Sequence, residues 1–229
     1  MADAPLRLTR ASLGQARRAG QASDLGKRLF DLVVASACVL MLFPLLTAVA
    51  VLVRLTTPGP AVYRQIRLGR GQRPFMLYKF RTMYDRCGDE VHRQYVRRLV
   101  TEEHPAAGAQ HGLYKLEHDA RITPLGRVLR KLSIDELPQL FNVVKGEMSL
   151  VGPRPVLPWE AELFQSPHDE RFIVMAGMTG LWQVSGRNRL TFRQALELDV
   201  EYVHRRCFAL DLVILVKTIR VVLFDHGAL

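Results

Sequence analysis

Cysteine is scarce in this sequence, and acidic charge is outweighed. The 229 residues include three cysteines, Cys38, Cys87 and Cys207, odd in number, far apart and without CxxC spacing. A disulfide framework and a cysteine zinc site are thereby excluded, and a reducing, cytoplasmic setting is the default. None of the seven histidines stands in H-x-x-x-H or H-E-x-x-H spacing, so zinc-enzyme and Ser-His-Asp hydrolase readings lose their footing. The phosphate loop G-x-x-x-x-G-K-[ST] is missing, which removes a P-loop nucleotide enzyme. Gly69-Arg70-Gly71 lacks the third glycine and the strand-helix context of a dinucleotide fingerprint and reads as a turn. Asp and Glu number 22 against 32 Lys and Arg, a net charge of +10. An excess of that size seeks anions: nucleic acid, anionic lipid or phosphorylated small molecules.

Long apolar runs are also scarce, with one exception. From Leu32 to Val53 no residue carries a formal charge, a stretch long enough to cross roughly 30 Å of hydrocarbon as one helix. It starts too late and runs too long for a secretory signal. Overall, 48% hydrophobic residues with 24% charged ones exclude both a disordered chain and a multi-spanning membrane protein. The expected organisation is a basic N-terminal segment over 1–28, a membrane helix over 29–55, and a catalytic domain over 56–229 with helices at the membrane interface.

Two features bear on how the apolar helix meets the membrane. Pro44 lies near its middle, where a missing backbone donor kinks a helix. Both flanks are basic: Arg7, Arg10, Arg17, Arg18, Lys27 and Arg28 precede it, and Arg54, Arg64, Arg67, Arg70, Arg73, Lys79 and Arg81 follow with no acidic residue among them. Since basic flanks stay cytoplasmic, a re-entrant helix that turns near Pro44 and leaves on the side it entered satisfies both flanks. A single-pass anchor with a proline kink is the other reading.

Beyond the turn-rich Thr56 to Pro60, aromatic and β-branched residues around a Gly-Arg-Gly turn over Ala61 to Met83 predict a short extended hairpin or an amphipathic interfacial stretch. A helix is expected over about Glu90 to Glu102. Leu125, Val128, Leu129 and Leu132 share one helical face, and Leu137, Leu140, Phe141 and Val144 another, ended by Gly146. A rigid extended loop (Val151 to Pro158), a helix over Pro158 to Gln165, a glycine-rich segment (Ala176 to Asn188) and a long closing helix from Thr191 to about Phe224 complete the chain.

Four constellations carry charge suited to chemistry. Ser133-Ile-Asp-Glu136 fits an S-x-x-E capping box, whose acidic residues offset the helix dipole and need no other role. The neighbouring Arg127, Arg130 and Lys131 favour ionised carboxylates, which serve equally as a nucleophile toward phosphorus or as ligands for Mg²⁺. Gly152-Pro-Arg154-Pro holds an arginine between two prolines, either a plain turn or a low-entropy grip on phosphate. Gly186-Arg187-Asn188 presents another arginine. Tyr78-Lys79-Phe80-Arg81 is either a snorkelling pair at headgroup level or a phosphate contact.

Read in order, KRLFDL, the apolar run with its proline, YKFRTM, DARITPLGRVLRKLSIDELPQLFNVVKGEMSLVGPRP, GMTGLWQVSGRN and LDVEYVHRRCFALDLVILVKTI resemble the bacterial sugar transferases of the monotopic phosphoglycosyl transferase family, over about residues 27 to 224. The resemblance implies a mostly helical α+β fold: a monotopic membrane protein with one re-entrant helix broken at Pro44 and a small cytoplasmic catalytic domain on the bacterial inner membrane. It implies transfer of a sugar 1-phosphate from a UDP-sugar to undecaprenyl phosphate, with release of UMP. Asp135 matches the nucleophile that forms an aspartyl phosphosugar, and Glu136 its partner, linked to Mg²⁺. Arg154 matches a position implicated in binding the nucleotide end. Lys79, Arg81, Arg121, Arg130 and Arg187 match basic positions around the phosphates, and Asp199 and Asp211 match recurring acidic positions counted here among the substrate-binding ones. UDP-sugar, undecaprenyl phosphate and membrane lipid are the expected partners; nucleic acid is not, and a homodimer is compatible. The competing class is a non-catalytic basic module that binds anionic lipid or nucleic acid at the membrane. Phe43 departs from the family, which often has serine before the helix-breaking proline.

Overall fold

A computed structural model describes residues 10–84, 121–164, 168–186 and 190–224, with side chains described from residue 24 to residue 222 within them. The helix expected near Glu90 and the arginine at Arg187 lie outside the described residues. So do residues 1–9 of the basic segment, while the rest of that segment is helical: α1 runs from Arg10 to Thr56.

Pro44 lies inside α1, and the helix continues through it. The helical pattern is thus uninterrupted at Pro44, which is compatible with a straight helix and with one that bends there. A proline costs one backbone bond and crowds the carbonyl four residues before it, a local defect that flanking turns can carry. Thr47 Oγ1 donates to the Phe43 carbonyl at 2.9 Å, adding a bond at the turn where the ladder is weakened.

Val62–Leu68 (β1) and Pro74–Phe80 (β2) form the expected antiparallel hairpin, with Val62 opposite Phe80 and Leu68 opposite Pro74. Pro124–Lys131 (α2) starts on Thr123, whose hydroxyl accepts from the Gly126 N–H, with proline in the first turn as helices prefer. Its apolar stripe divides. Leu129 is buried, whereas Val128 and Leu132 are exposed. After a 3-10 turn at Ile134–Glu136 comes Gln139–Lys145 (α3), ended by Gly146 at φ 83° as expected. Ser149–Val151 (β3) and Gly177–Thr179 (β4) pair in parallel. Between them lie Pro158–Ala161 (α4), shorter than expected, and a 3-10 segment at His168–Ile173. Leu181–Val184 (α5) follows. The closing helix is two helices, Phe192–Arg205 (α6) and Phe208–Phe224 (α7). The fold is thus mostly helical α+β, with two small two-stranded sheets.

Three apolar clusters hold these elements together. Ala35 of α1 packs with Leu140 and Val143 of α3, Leu150 and Val151 of β3, Tyr202 of α6 and Ile214 of α7. Val156, Phe164, Phe172, Trp182, Phe192 and Leu196 form the second. Leu46, Val49 and Val53, beyond Pro44, pack on Phe80 and Leu129 in the third. Each fully buried aliphatic or aromatic side chain contributes about 1.5–3 kcal/mol, so both halves of α1 are fastened to the same body.

Polar contacts repeat that fastening on either side of Pro44. Lys27 Nζ lies 2.6 Å from Asp211 Oδ2. Arg28 donates to the Val143 and Val144 carbonyls at 2.5 and 2.9 Å, near the end of α3 where carbonyls run out of intrahelical donors. Beyond Pro44, Arg81 Nη2 donates to the Thr57 carbonyl and hydroxyl, both at 2.7 Å. The remaining faces of α1 are apolar and bare, with Leu25, Leu40, Met41 and Leu55 each more than 70% exposed. Contiguous exposed apolar surface on that scale is suited to lipid, and Asp24–Thr56 is long and apolar enough to cross a membrane.

Candidate active site

The carboxylate pair sits where α2 ends. Ser133 adopts φ 54°, ψ 18°, the left-handed region, and makes no side-chain cap bond. Its N–H donates to the Arg130 carbonyl. Ser133 therefore stands in the place glycine usually takes past a helix end, and the expected capping box is absent. The Glu136 side chain, freed from capping, reaches Lys79 Nζ at 2.7 Å. The reversal at Ser133 turns the chain directly into the 3-10 turn that carries Asp135 and Glu136. Asp135 is 8% exposed.

Lys79 comes from the last turn of the hairpin, two residues before Arg81, and its position follows from β2 pairing with β1. Burial pulls its ammonium pKa down, opposed by Glu136 and Asp135 and reinforced by Arg154. Both carboxylates therefore act on one lysine, with one arginine nearby. Arg154 Nη1 lies 3.7 Å from Glu136 Oε1. Lys79, Glu136 and Arg154 each keep roughly a fifth to a quarter of their side-chain surface open, at 19, 27 and 22%, so the cluster has a solvent-facing mouth.

Arg154 is carried by a loop fixed through its carbonyls, because its two prolines have no N–H to give. Four successive carbonyls find donors: Pro153 from the Gly177 N–H at 2.8 Å, Arg154 from Arg171 Nη2 at 2.7 Å, Pro155 from Arg67 Nη1 at 3.3 Å, and Val156 from the Leu68 N–H at 2.8 Å. Behind the loop, Gly152 and Gly177 approach so closely that a Cβ on Gly177 would lie 2.1 Å from the Gly152 nitrogen. Glycine is required there by space alone. Arg67, Lys79, Gln139 and Arg154 line a recess of about 10 Å³ beside the cluster, room for about one water.

The other expected positions make contacts of their own. Arg130 Nε donates to Thr82 Oγ1 at 2.9 Å, and the Arg121 carbonyl accepts from the Tyr84 N–H at 2.9 Å. Arg81 is buried against Thr57 at the end of α1, with Nε and Nη1 making no hydrogen bond. Asp199 and Asp211, expected among substrate-binding positions, are buried against protein groups. Asp199 pairs with Arg171 at 2.7 Å, and Asp211 takes Lys27 Nζ and the Tyr202 hydroxyl, the latter at 2.7 Å. Sequence reasoning missed Arg67 and Arg171. Arg67 had a faint signal in the period-two spacing of Gln65, Arg67 and Gly69; Arg171 had none.

Among the described residues no three His, Cys, Asp or Glu side chains gather into a metal-binding group. The donor chemistry nonetheless fits Mg²⁺, which takes one or two carboxylates and completes its octahedron with substrate phosphate and water. Asp135 and Glu136 are two such carboxylates at an open mouth.

A carboxylate pair set beside Lys79 and Arg154, on a body fastened to a long apolar helix compatible with membrane association, is an arrangement suited to anionic groups. The chain belongs to the bacterial sugar transferase family, whose model matches residues 22–225. It is 40% identical over 205 residues to the exopolysaccharide production protein ExoY of Rhizobium meliloti, covering 89% of this chain and 88% of that one. It is 41% identical over 212 residues to the undecaprenyl-phosphate galactose phosphotransferase of Salmonella typhimurium, covering 92% of this chain and 43% of the longer relative. An Aeromonas hydrophila relative, 39% identical over 212 residues, is a UDP-N-acetylgalactosamine-undecaprenyl-phosphate N-acetylgalactosaminephosphotransferase; 88% of this chain and 44% of that one are covered.

Proposed function

We propose that the protein transfers a sugar 1-phosphate from a UDP-sugar to undecaprenyl phosphate, as the first membrane step of exopolysaccharide, capsule or related glycan synthesis. The observation that carries this reading is the convergence on one mouth of Asp135, Glu136, Lys79 and Arg154, brought from three separate parts of the chain. In the first step an Asp135 carboxylate oxygen attacks the β-phosphorus, the bond to the bridging oxygen breaks, and UMP departs. In the second, a phosphate oxygen of undecaprenyl phosphate attacks the same phosphorus and the Asp135 carboxylate leaves. One difficult displacement becomes two easier ones.

Lys79 and Arg154 bind and orient the diphosphate, and their fixed charges offset the negative charge that grows on its oxygens. The recess is too small for a phosphate, so the diphosphate lies across the open faces of these side chains. Glu136, with Asp135 beside it, would hold Mg²⁺, which supplies charge neutralisation at the diphosphate when bound.

The membrane arrangement follows from the fastening of α1. One body grips this helix at Lys27 and Arg28 and again at Val53 and Thr57. That supports a re-entrant helix with both ends on the cytoplasmic face of the inner membrane, in line with its two basic flanks, and Pro44 is the natural place for it to bend. A cysteine in place of Arg10, with Cys38, Cys87 and Cys207 replaced, is then shielded from an impermeant thiol reagent in intact cells. Labelling from outside would establish a single crossing.

The reaction is tested by incubating purified protein with Mg²⁺, undecaprenyl phosphate and a panel of UDP-sugars, and measuring UMP. Release of UMP with one sugar names the donor; a protein that binds anionic vesicles but releases no UMP with any donor is the non-catalytic module.

A further inference from the structure

Arg171 and Asp199 lie outside the dyad, are sealed from solvent with 2% of each side chain exposed, and have no part in the chemistry above. Their contacts converge on one peptide. Arg171 Nη2 bonds the Arg154 carbonyl at 2.7 Å and approaches Asp199 Oδ2 at 2.7 Å. Asp199 lies close enough to Arg154 for that residue's charge and backbone to favour its ionised form against the effect of burial. Arg171 is itself immobilised, its guanidinium 5.1 Å from the Phe164 ring centre and 5.9 Å from that of Phe172, a distance at which cation and ring attract.

We infer that the Arg171–Asp199 pair is a positioning device for Arg154: Arg171 holds the peptide by its carbonyl and Asp199 holds Arg171, so that the Arg154 guanidinium meets Glu136 and the substrate phosphate at the mouth. The prolines explain why an outside clamp is needed. Neither Pro153 nor Pro155 can donate, so the Arg154 N–H and carbonyl are the groups through which its orientation can be set. Simple stability is a poor reason for such a pair. Burying two charges costs desolvation that their attraction offsets only with good geometry, and apolar replacements of similar volume are often as stable. Here the geometry is incomplete, since Arg171 Nη1 and Asp199 Oδ1 make no hydrogen bond. A merely structural pair would leave Arg154 indifferent to its loss.

The inference rests on the proposed transferase reaction for its kinetic arm only. Two variants are compared with wild type in the full-length, detergent-solubilised protein: Asp199→Asn, and the apolar double variant Arg171→Met with Asp199→Leu, which removes both charges while keeping the packing. The first readout is the rate at which phenylglyoxal modifies Arg154, followed by peptide mass spectrometry. It is expected to rise several-fold in the double variant at an unchanged melting temperature. The second is a cycle with Arg154→Ala. The variants should raise KM for the UDP-sugar about tenfold with a smaller change in kcat, and that penalty should vanish when Arg154 is already alanine. An unchanged modification rate in a folded variant, or penalties that simply add to that of Arg154→Ala, would overturn the positioning role. Should Asp199→Asn fail to fold, the double variant decides alone. Should wild type release no UMP, the transferase reading fails while the modification rate still decides the inference.

Discussion

Two charged clusters in this molecule are built from the same residue types and differ in what surrounds them. At the mouth, Asp135 and Glu136 both act on Lys79 and Glu136 also meets Arg154, and the side chains of Lys79, Glu136 and Arg154 remain 19–27% open. Behind it, Asp199 and Arg171 pair one to one with 2% of each exposed. A sealed pair has no room for a third charge, so its only product is geometry. The open cluster admits a ligand, and a diphosphate with its metal adds charges of both signs that the existing groups can match. Family resemblance places Asp199 with Lys79 and Arg154 as a single group; burial separates the sealed Asp199 from the partly open Lys79 and Arg154.

The largest effect expected at the open cluster is from Asp135→Asn. The amide fills the same space but cannot attack phosphorus, so UMP release should fall by about 10³-fold or more while the circular dichroism spectrum and melting temperature stay within error. Ping-pong kinetics and a sugar-phosphate adduct on wild-type protein lacking acceptor should accompany it, and the adduct should be missing from the variant. Intersecting double-reciprocal lines with no adduct under rapid quench would replace covalent catalysis by direct attack. Next in size, Lys79→Met should lower kcat/KM by about 10²-fold, with a loss of phosphate affinity detectable as weaker UDP binding. An equal loss in binding of uridine would show that Lys79 holds the fold and not the phosphates.

Much of this was readable in the sequence wherever the information is local. The hairpin announces itself by aromatic and β-branched residues around Gly69-Arg70-Gly71, the long apolar helix by its charge-free run, and Asp135, Glu136 and Arg154 by short motifs. The Ser133 turn was misread because S-x-x-E specifies letters and not φ. The same four residues that make a capping box at a helix start can follow a helix end, and only the Arg130 carbonyl that Ser133 bonds tells which. The division at Arg206 and Cys207 has no proline or glycine to mark it. The strands Ser149–Val151 and Gly177–Thr179 are three residues each, too short to leave a period. Contacts such as Lys79 to Glu136, 57 residues apart, and Arg171 to Arg154 depend on how separate elements dock.

A smaller, graded effect distinguishes the sealed pair by pH. Burial raises the Asp199 carboxyl from 3.8 to about 7, outweighing the lowering by Arg171 and Arg154. A raised folded pKa means that the native state holds the proton more tightly than the unfolded chain. The stability this supplies is complete below the unfolded value and is lost as pH rises through the folded one. Denaturant melts of wild type and Asp199→Asn should therefore diverge between pH 4 and pH 7, wild type losing ground with a slope of at most about 1.4 kcal/mol per pH unit, and run parallel above that window. A constant difference from pH 4 to pH 8 would mean that Arg171 keeps Asp199 ionised throughout.

The smallest expected effect sharpens the geometry of the open cluster itself. At φ 54° a serine pays a steric cost that glycine avoids, whereas glycine loses more chain entropy on folding. Were Ser133 a helix N-cap, Ser133→Gly would cost a few tenths of a kcal/mol and Ser133→Ala about 1 kcal/mol. As the left-handed residue after α2, it predicts the opposite sign for glycine: a gain of up to about 1 kcal/mol, because the relieved strain exceeds the added entropy, with alanine still a loss. Since the side chain of Ser133 makes no cap bond and Glu136 is held by Lys79, turnover in Ser133→Gly should stay within about twofold of wild type. Thermal melts of the two variants measure the sign. Glycine falling below wild type, together with reduced UMP release, would show that the serine holds the dyad turn through its side chain and that the reversal of the chain alone does not aim Asp135.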